Sequence, residues 1–174
     1  LNVSGAIEIT ADGTINGADS VTAEFANGVL GDIQLTSTNG AVTLAGAGQI
    51  KGENLTVSAA TGATLGTEVA AIDANITGTG ALTVTEVDDL QVLNATASNG
   101  PVSLTAGGNI TGAGNVTAGN VAGNAGLAVT INAGGTVNLS TSSNQVSGAS
   151  LALTAGNGAT IESDVSQFTA SVTG

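Results

Sequence analysis

The sequence lacks most of the side chains that carry enzyme chemistry. It contains no Cys, His, Trp, Tyr or Met, and Lys51 is its only cationic side chain. Nucleophilic and acid–base catalysis depends largely on these residue types, which leaves only carboxylates. A carboxylate pair can hydrolyse a glycoside, but the aromatic and Arg groups that hold a sugar are nearly absent. We therefore predict that the protein is not an enzyme. The absence of Cys also excludes a disulfide framework.

Positive charge is almost missing as well. Thirteen Asp and Glu residues oppose one Lys, which gives a net charge of −12. Such a surface repels DNA, RNA and anionic lipid, so we predict no nucleic-acid partner. No apolar run approaches the roughly 18 residues that span a bilayer, which predicts no membrane insertion. The sequence begins at Leu1, not Met, and shows no signal peptide, so we expect a segment of a longer or mature chain.

The residues that are abundant indicate a thin, uniform core. Glycine occurs 27 times, and 41% of residues are hydrophobic, nearly all of them Ala, Val, Leu and Ile. This hydrophobic content argues against disorder. Aromatic residues supply the largest buried areas in ordinary globular cores, and only Phe25 and Phe168 are present here. We expect residues 1–174 to form one compact domain or one solenoid segment.

Internal repeats organise the chain. The hexapeptide NGAVTL at 39–44 recurs as NGPVSL at 99–104, sixty residues later, and related copies begin at Ile7 and Val137. Residues 55–78 also align without a gap with residues 151–174, at an offset of 96. The offsets 35, 60 and 96 share no single period. The repeats therefore predict coils of variable length, with insertions at the turns.

Between the turns, aliphatic residues alternate with polar ones, as in Val42-x-Leu44 and Val102-x-Leu104. This period of two predicts short strands, and Asn-Gly pairs predict the turns between them. An antiparallel sandwich and a parallel β-solenoid both fit, but a sandwich usually needs bulky core anchors. We therefore predict an all-β parallel β-solenoid of about eight coils, each of roughly twenty residues, with glycine at the corners.

Three segments also fit a short helix, because their aliphatic residues show i, i+3 spacing. They are residues 19–27, 67–75 and 86–95. Residues 67–75 align with 163–171, which reads as strand or turn. We therefore predict strand-like structure for the first two segments and an irregular strand or insertion for the third.

The glycine-rich stretch GAGQIKG at 46–52 resembles a phosphate-binding loop only superficially. Lys51 precedes Gly52, so the order required by a P-loop is absent, and the spacing of a dinucleotide fingerprint is not met. The equivalent copy has Thr111 in place of Lys51. These glycines are predicted to form corners, Lys51 is predicted to be a surface charge beside Glu53, and no cofactor is expected.

Acidic residues are the remaining candidates for a metal site. Glu86, Asp88 and Asp89 form the densest group, while Asp12/Asp19 and Glu162/Asp164 are sparser. None matches an EF-hand loop or the nonapeptide of calcium-binding solenoids. We predict no metal ligands and a solvated acidic turn at Glu86, Asp88 and Asp89. A weak Ca²⁺ site is the alternative.

Two further patterns have simple explanations. Asn at a corner before a hydrophobic–Thr strand generates N-x-[ST] sequons without glycosylation, and seven occur: Asn2, Asn54, Asn75, Asn94, Asn109, Asn115 and Asn138. An ice-binding face needs an unbroken Thr array, but along the chain only residues 36–38 and 83–85 show suitable spacing. The sequence therefore favours unglycosylated corners and disfavours ice binding.

Stretches such as GDIQLTSTNGAVTLAGAGQIKGENLTV and GPVSLTAGGNITGAGNVTAG make most of the chain resemble the repeats of filamentous haemagglutinin-like adhesins. These are bacterial surface proteins secreted by two-partner or autotransporter routes. The resemblance implies a right-handed parallel β-helix that forms an extracellular shaft, with no binding residues of its own. The irregular coil length departs from that family.

Two non-catalytic functions follow. The first is the shaft of an adhesin on the bacterial cell surface, which displays a host-cell or surface ligand site located outside these residues. The second is an extracellular filament, sheath or surface-layer subunit whose partners are copies of the same chain, stacked end to end. Uncapped solenoid ends need a cap or a neighbour, so the two functions differ in what covers those ends.

Overall fold

A computed structural model describes residues 1–119, 127–141 and 145–174, with the side chains of Asn2 and Val3 excepted. The described part is all-β and contains no helix. Its strands, in chain order, are β1 Asn2–Val3, β2 Ile7–Ala11, β3 Ile15–Asn16, β4 Val21–Ala23, β5 Ile33–Ser37, β6 Val42–Leu44, β7 Ile50–Ala59, β8 Ala63–Thr79, β9 Leu82–Glu86, β10 Leu90–Asn99, β11 Val102–Ala106, β12 Ile110–Thr111, β13 Val116–Ala118, β14 Ala128–Ala133, β15 Val137–Leu139, β16 Val146–Ala155, β17 Ala159–Ile161 and β18 Ser163–Val172.

The named strands pair in parallel, each with the equivalent strand of the next coil. The longest ladder of register partners connects Ile15, Val42, Ala63, Leu82, Val102, Val129, Leu151 and Phe168. These residues are 27, 21, 19, 20, 27, 22 and 17 positions apart. The predicted parallel β-solenoid is confirmed, and its coils vary in length as expected. Its handedness stays a prediction.

Each coil contributes to three faces, which we name by their first strands. Face A begins with β2 and continues through β5 and the second half of β7. Face B begins with β3 and follows the eight-residue ladder given above. Face C begins with β4, passes through the starts of β7 and β10, and ends in β12, β15 and β17. The long strands cross from one face to the next without a turn.

The core is a set of stacked aliphatic rungs. Burial alternates along each strand, as in β11, where Val102, Leu104 and Ala106 are buried and the residues between them are not. Leu104 pairs with Val84 on one side and Ile131 on the other, and all three are fully buried. Complete burial of such a side chain contributes about 1.5–3 kcal/mol. A core of this kind is thin and uniform, as the composition predicts.

The faces explain why the sequence repeats share no period. Val42 and Val102 both lie on face B, three rungs apart, so the offset of 60 is three full turns. Ile7 lies on face A and Val137 on face C, so the offset of 35 adds one face to a full turn. The offset of 96 likewise relates Leu55 on face A to a residue on face B. The repeated unit is therefore one side of the coil.

Glycine occupies the corner between faces A and B because successive corners touch. A Cβ placed on Gly100 would overlap the carbonyl oxygen of Gly80, and one on Gly80 would overlap that of Thr61. A Cβ on Gly40 would likewise strike the backbone of Gly13 and Thr14. The sequence-based prediction of corner glycines is confirmed at these positions.

The three segments that also fit a helix are strands and turns. Residues 67–75 lie within β8, and residues 86–95 include the end of β9 and the start of β10. The pairing of β10 with β8 shifts register between Val92 and Asn94, which is the predicted irregularity. Residues 19–27 contain β4, and Glu24 then forms an antiparallel bridge with Leu30. Tertiary pairing therefore overrides the local helical spacing.

Candidate functional site

The glycine-rich stretch at 46–52 forms a corner that is closed by a buried glutamine. The side-chain amide of Gln49 donates to the carbonyl oxygens of Gly17 and Asp19 in the preceding coil, at 2.9 and 2.7 Å. Its Oε1 accepts from the backbone N–H of Gly46 at 2.8 Å. All three bonds satisfy backbone groups at the turn. The stretch therefore acts as a structural bracket between two coils.

A second glutamine makes the same arrangement one corner further round the solenoid. Gln145 is fully buried and donates to the carbonyl oxygens of Gly112 and Gly114, both at 2.8 Å. Its Oε1 accepts from the N–H of Thr141 at 3.1 Å. Gln49 precedes β7 on face C, and Gln145 precedes β16 on face A. Sequence reasoning missed this pair, although in both cases a Gln stands immediately before an aliphatic residue that begins a strand.

Removing the Gln145 amide should destabilise the fold. Gln145→Met keeps the side-chain length but leaves two carbonyls and one N–H without their partner. We expect a loss of about 1–3 kcal/mol in the free energy of unfolding. Gln91→Met is the control, because Gln91 is exposed on β10. Chemical denaturation of both variants measures the difference, and equal stabilities would contradict the bracket.

Lys51 has a structural partner, but it is not the expected one. Its Nζ lies 2.6 Å from Oε1 of Glu68, its register partner in the next coil. The hydrogen bond and charge of Glu68 raise the pKa of Lys51. The predicted placement beside Glu53 is therefore wrong. Residues two apart on a strand share a side of the sheet, but a register partner is much closer.

The acidic residues Glu86, Asp88 and Asp89 do not form one solvated turn. Glu86 points inward and is only 2% exposed. Its Oε2 accepts from the N–H of Val69 at 3.1 Å, and its Oε1 accepts from the N–H of Val87 at 2.8 Å. Asp88 and Asp89 are exposed. The prediction of a solvated turn is therefore wrong for Glu86, which binds backbone groups inside the corner.

Burial raises the pKa of Glu86, although hydrogen bonds from Thr67 and from backbone N–H groups oppose the shift. A carboxyl with a raised folded-state pKa contributes stability that is complete below its unfolded pKa. That contribution is lost as pH rises through the folded value. Glu86 therefore favours the folded state in acid.

This sign gives a testable pH dependence. We expect the melting temperature to rise when the pH falls from 7 to about 4, near the unfolded pKa of Glu. Glu86→Gln, which does not titrate, should show a smaller rise than the natural chain. The other carboxylates are common to both proteins, so the difference isolates Glu86. Identical profiles from thermal unfolding would refute this role.

Asp and Asn form pairs between neighbouring coils. Asn39, Asn54, Asn94 and Asn109 each donate Nδ2–H to an aspartate in the coil before them, at distances between 2.6 and 3.2 Å. The partners are Asp12, Asp32, Asp73 and Asp89, in that order. An amide stacked on a carboxylate replaces the like-charge repulsion that two stacked aspartates would create. Three of these asparagines belong to sequons, and the absence of glycosylation there stays a prediction.

Nothing in the described residues brings reactive groups together. Within residues 1–119, 127–141 and 145–174, no group of three or more acidic side chains is arranged to hold a metal ion. Two open surface grooves, of about 340 and 390 Å³, are lined by backbone, aliphatic and carboxylate or amide groups. The first includes Glu68, which is already paired with Lys51. Neither groove places a nucleophile beside a base.

Comparisons with known proteins add no name to this architecture. No protein-family model, no curated protein and no solved structure matches the chain. Across the part of the chain that the structure describes, no helix has the length and apolarity needed to span a membrane.

Proposed function

We propose that the chain is a rigid, non-catalytic shaft segment of a bacterial surface adhesin, located outside the cell. The resemblance to filamentous haemagglutinin-like repeats supports this function, and so does the β-solenoid fold. A shaft holds a binding tip at a distance, so the ligand site lies in regions outside these residues. The shaft itself needs length, stiffness and a surface that stays soluble.

The observation that carries the proposal is the unbroken ladder of face B. Eight strands stack in register, which gives a rod segment of about 34 Å at the strand spacing. Neighbouring coils are joined by backbone hydrogen bonds, by buried aliphatic rungs and by the brackets of Gln49 and Gln145. The net charge of −12 favours solubility and separation of the rods.

A self-assembling filament is the second candidate, because the last coil exposes apolar side chains. Phe168 and Val172 lie on β18, and they are 54% and 43% exposed. β18 pairs with β16 along one edge, and its other edge has no named partner strand. Free strand edges of this kind pair readily with another chain. Copies stacked end to end would cover both the edge and the side chains.

Negative-stain electron microscopy and sedimentation velocity separate the two functions. The shaft predicts short monomeric rods whose length is unchanged by concentration or salt. The filament predicts long fibres that are lost in Phe168→Lys, which places a charge on the exposed end. Fibres that depend on Phe168 would overturn the shaft in favour of the filament. A circular dichroism spectrum dominated by helix would exclude both.

A further inference from the structure

The outward side of face B carries two parallel columns of hydroxyl side chains. In the first column, successive rungs place Asn16, Thr43, Thr64, Thr83, Ser103 and Thr130 in line. The column continues through Ala152 to Thr169. Register pairing aligns each residue with its counterpart one coil away. Six of the eight positions therefore carry Thr or Ser.

The second column lies two residues further along the same strands. It begins at Gly66 and continues through Thr85, Thr105, Asn132, Thr154 and Ser171. Thr85, Thr154 and Ser171 are exposed, and Thr105 is half-buried. The pairs that build these columns show no register shift, unlike the pairing of β10 with β8. The hydroxyl groups therefore form a regular two-dimensional array.

Face B is also free of charge on its outward side. None of the fourteen charged residues of the sequence occupies either column, and Glu86, at the end of a face B strand, points inward. The other faces differ. On face A, the column Glu8, Gln34, Thr56 and Asp73 includes two carboxylates. On face C, Lys51 and Glu68 point outward. A strongly acidic protein thus keeps one face neutral.

We propose that the outward side of face B binds the surface of ice. Successive rungs are about 4.8 Å apart, and the two columns are about 7 Å apart across two residues of strand. Ice repeats its surface oxygen atoms at intervals close to both spacings. Each Thr hydroxyl can donate and accept one hydrogen bond with a lattice water, while its methyl group keeps the surface between them dry. This function is independent of the shaft function, because a rod can carry a binding face along its side.

Other occupants fit the same face less well. The face spans about 34 Å by about 10 Å at the strand dimensions, or roughly 340 Å². A stable protein partner usually covers about 800 Å² on each side, with aromatic, Met or Arg residues at the centre. Face B has none of these residues. It also offers no aromatic ring on which a sugar of a crystalline polysaccharide could stack.

The test uses the natural chain and two matched variants. Thr105→Lys places a charge in the middle of the array. Thr36→Lys makes the same change at a half-buried Thr on face A, within a column where Thr10 and Ser58 are its neighbours. Circular dichroism and thermal unfolding first establish that both variants keep the fold. Thermal hysteresis, ice recrystallisation and partition into a growing ice hemisphere are then measured.

We expect the natural chain and Thr36→Lys to inhibit recrystallisation and to enter the ice, and Thr105→Lys to lose most of this activity. Should Thr105→Lys unfold, Thr154→Lys on an exposed rung takes its place. The proposal is overturned if the natural chain is excluded from ice, or if both variants act alike. Binding to crystalline cellulose or chitin, without any effect on ice, would also overturn it.

Discussion

Replacing Gly100 by alanine is expected to lower the free energy of unfolding by at least about 2 kcal/mol, the usual cost of overfilling a packed site. The new Cβ would overlap the carbonyl oxygen of Gly80, which belongs to the neighbouring coil. Backbone cannot move aside as a flexible side chain can, so the two coils must separate at this corner. The bonds that join face A to face B in both coils would weaken together.

Gly13→Ala is the matched control in the same column of corners. A Cβ at Gly13 would meet no atom within 4 Å. Because alanine restricts the unfolded chain more than glycine, this change should be neutral or stabilise the fold by up to about 1 kcal/mol. Urea denaturation measures both variants. Equal effects, or a stable Gly100→Ala, would show that the corners do not stack as described.

Leu104→Ala should cost about 2–5 kcal/mol, as truncation of a fully buried leucine does when the cavity cannot close. Leu104 lies at the middle of face B and is 0% exposed. Val84 and Ile131, its register partners, are held by their own strands and cannot collapse into the space. Thermal unfolding should show the change as a decrease of several degrees in the melting temperature.

Leu93→Ala tests whether position alone decides the cost. Leu93 lies at the register shift of β10 and is 47% exposed, so the same truncation should change stability by no more than about 0.5 kcal/mol. If the two leucine variants lost equal stability, Leu104 would not be a core rung. The inward and outward assignment of face B would then be wrong.

The architecture could be predicted from the sequence because it depends on local patterns. Alternation such as Val42-x-Leu44 identifies a strand and its buried side without any knowledge of its neighbours. The offset of 60 between Val42 and Val102 corresponds to three turns of one face, so stacking on that face could be predicted as well. Glycine at positions 40 and 100 marks corners because no side chain fits there.

The assignment of repeats to faces could not be predicted in the same way. The local pattern of Ile7 resembles that of Val42, yet the two residues lie on different faces. Each side of the coil has the same chemistry, an aliphatic rung inside and a polar residue outside. Only the hydrogen-bonded register, which depends on the lengths of all intervening turns, shows which copies stack.

Side-chain partners across coils were the other gap. Lys51 meets Glu68, not Glu53, and Glu86 turns inward while Asp88 and Asp89 stay outside. Proximity along the chain is a poor guide in a solenoid, because the nearest neighbours are about one coil away. The Thr array of face B is invisible along the chain for the same reason.

The most direct test of the account is a set of distances along face B. The chain has no Cys, so nitroxide labels can be attached to introduced pairs at 43/103, 43/130 and 43/169. These positions are three, four and six rungs apart. Electron paramagnetic resonance should give backbone separations of about 14, 19 and 29 Å, because each rung adds about 4.8 Å. Distances that do not increase in this order would contradict a parallel solenoid with this register.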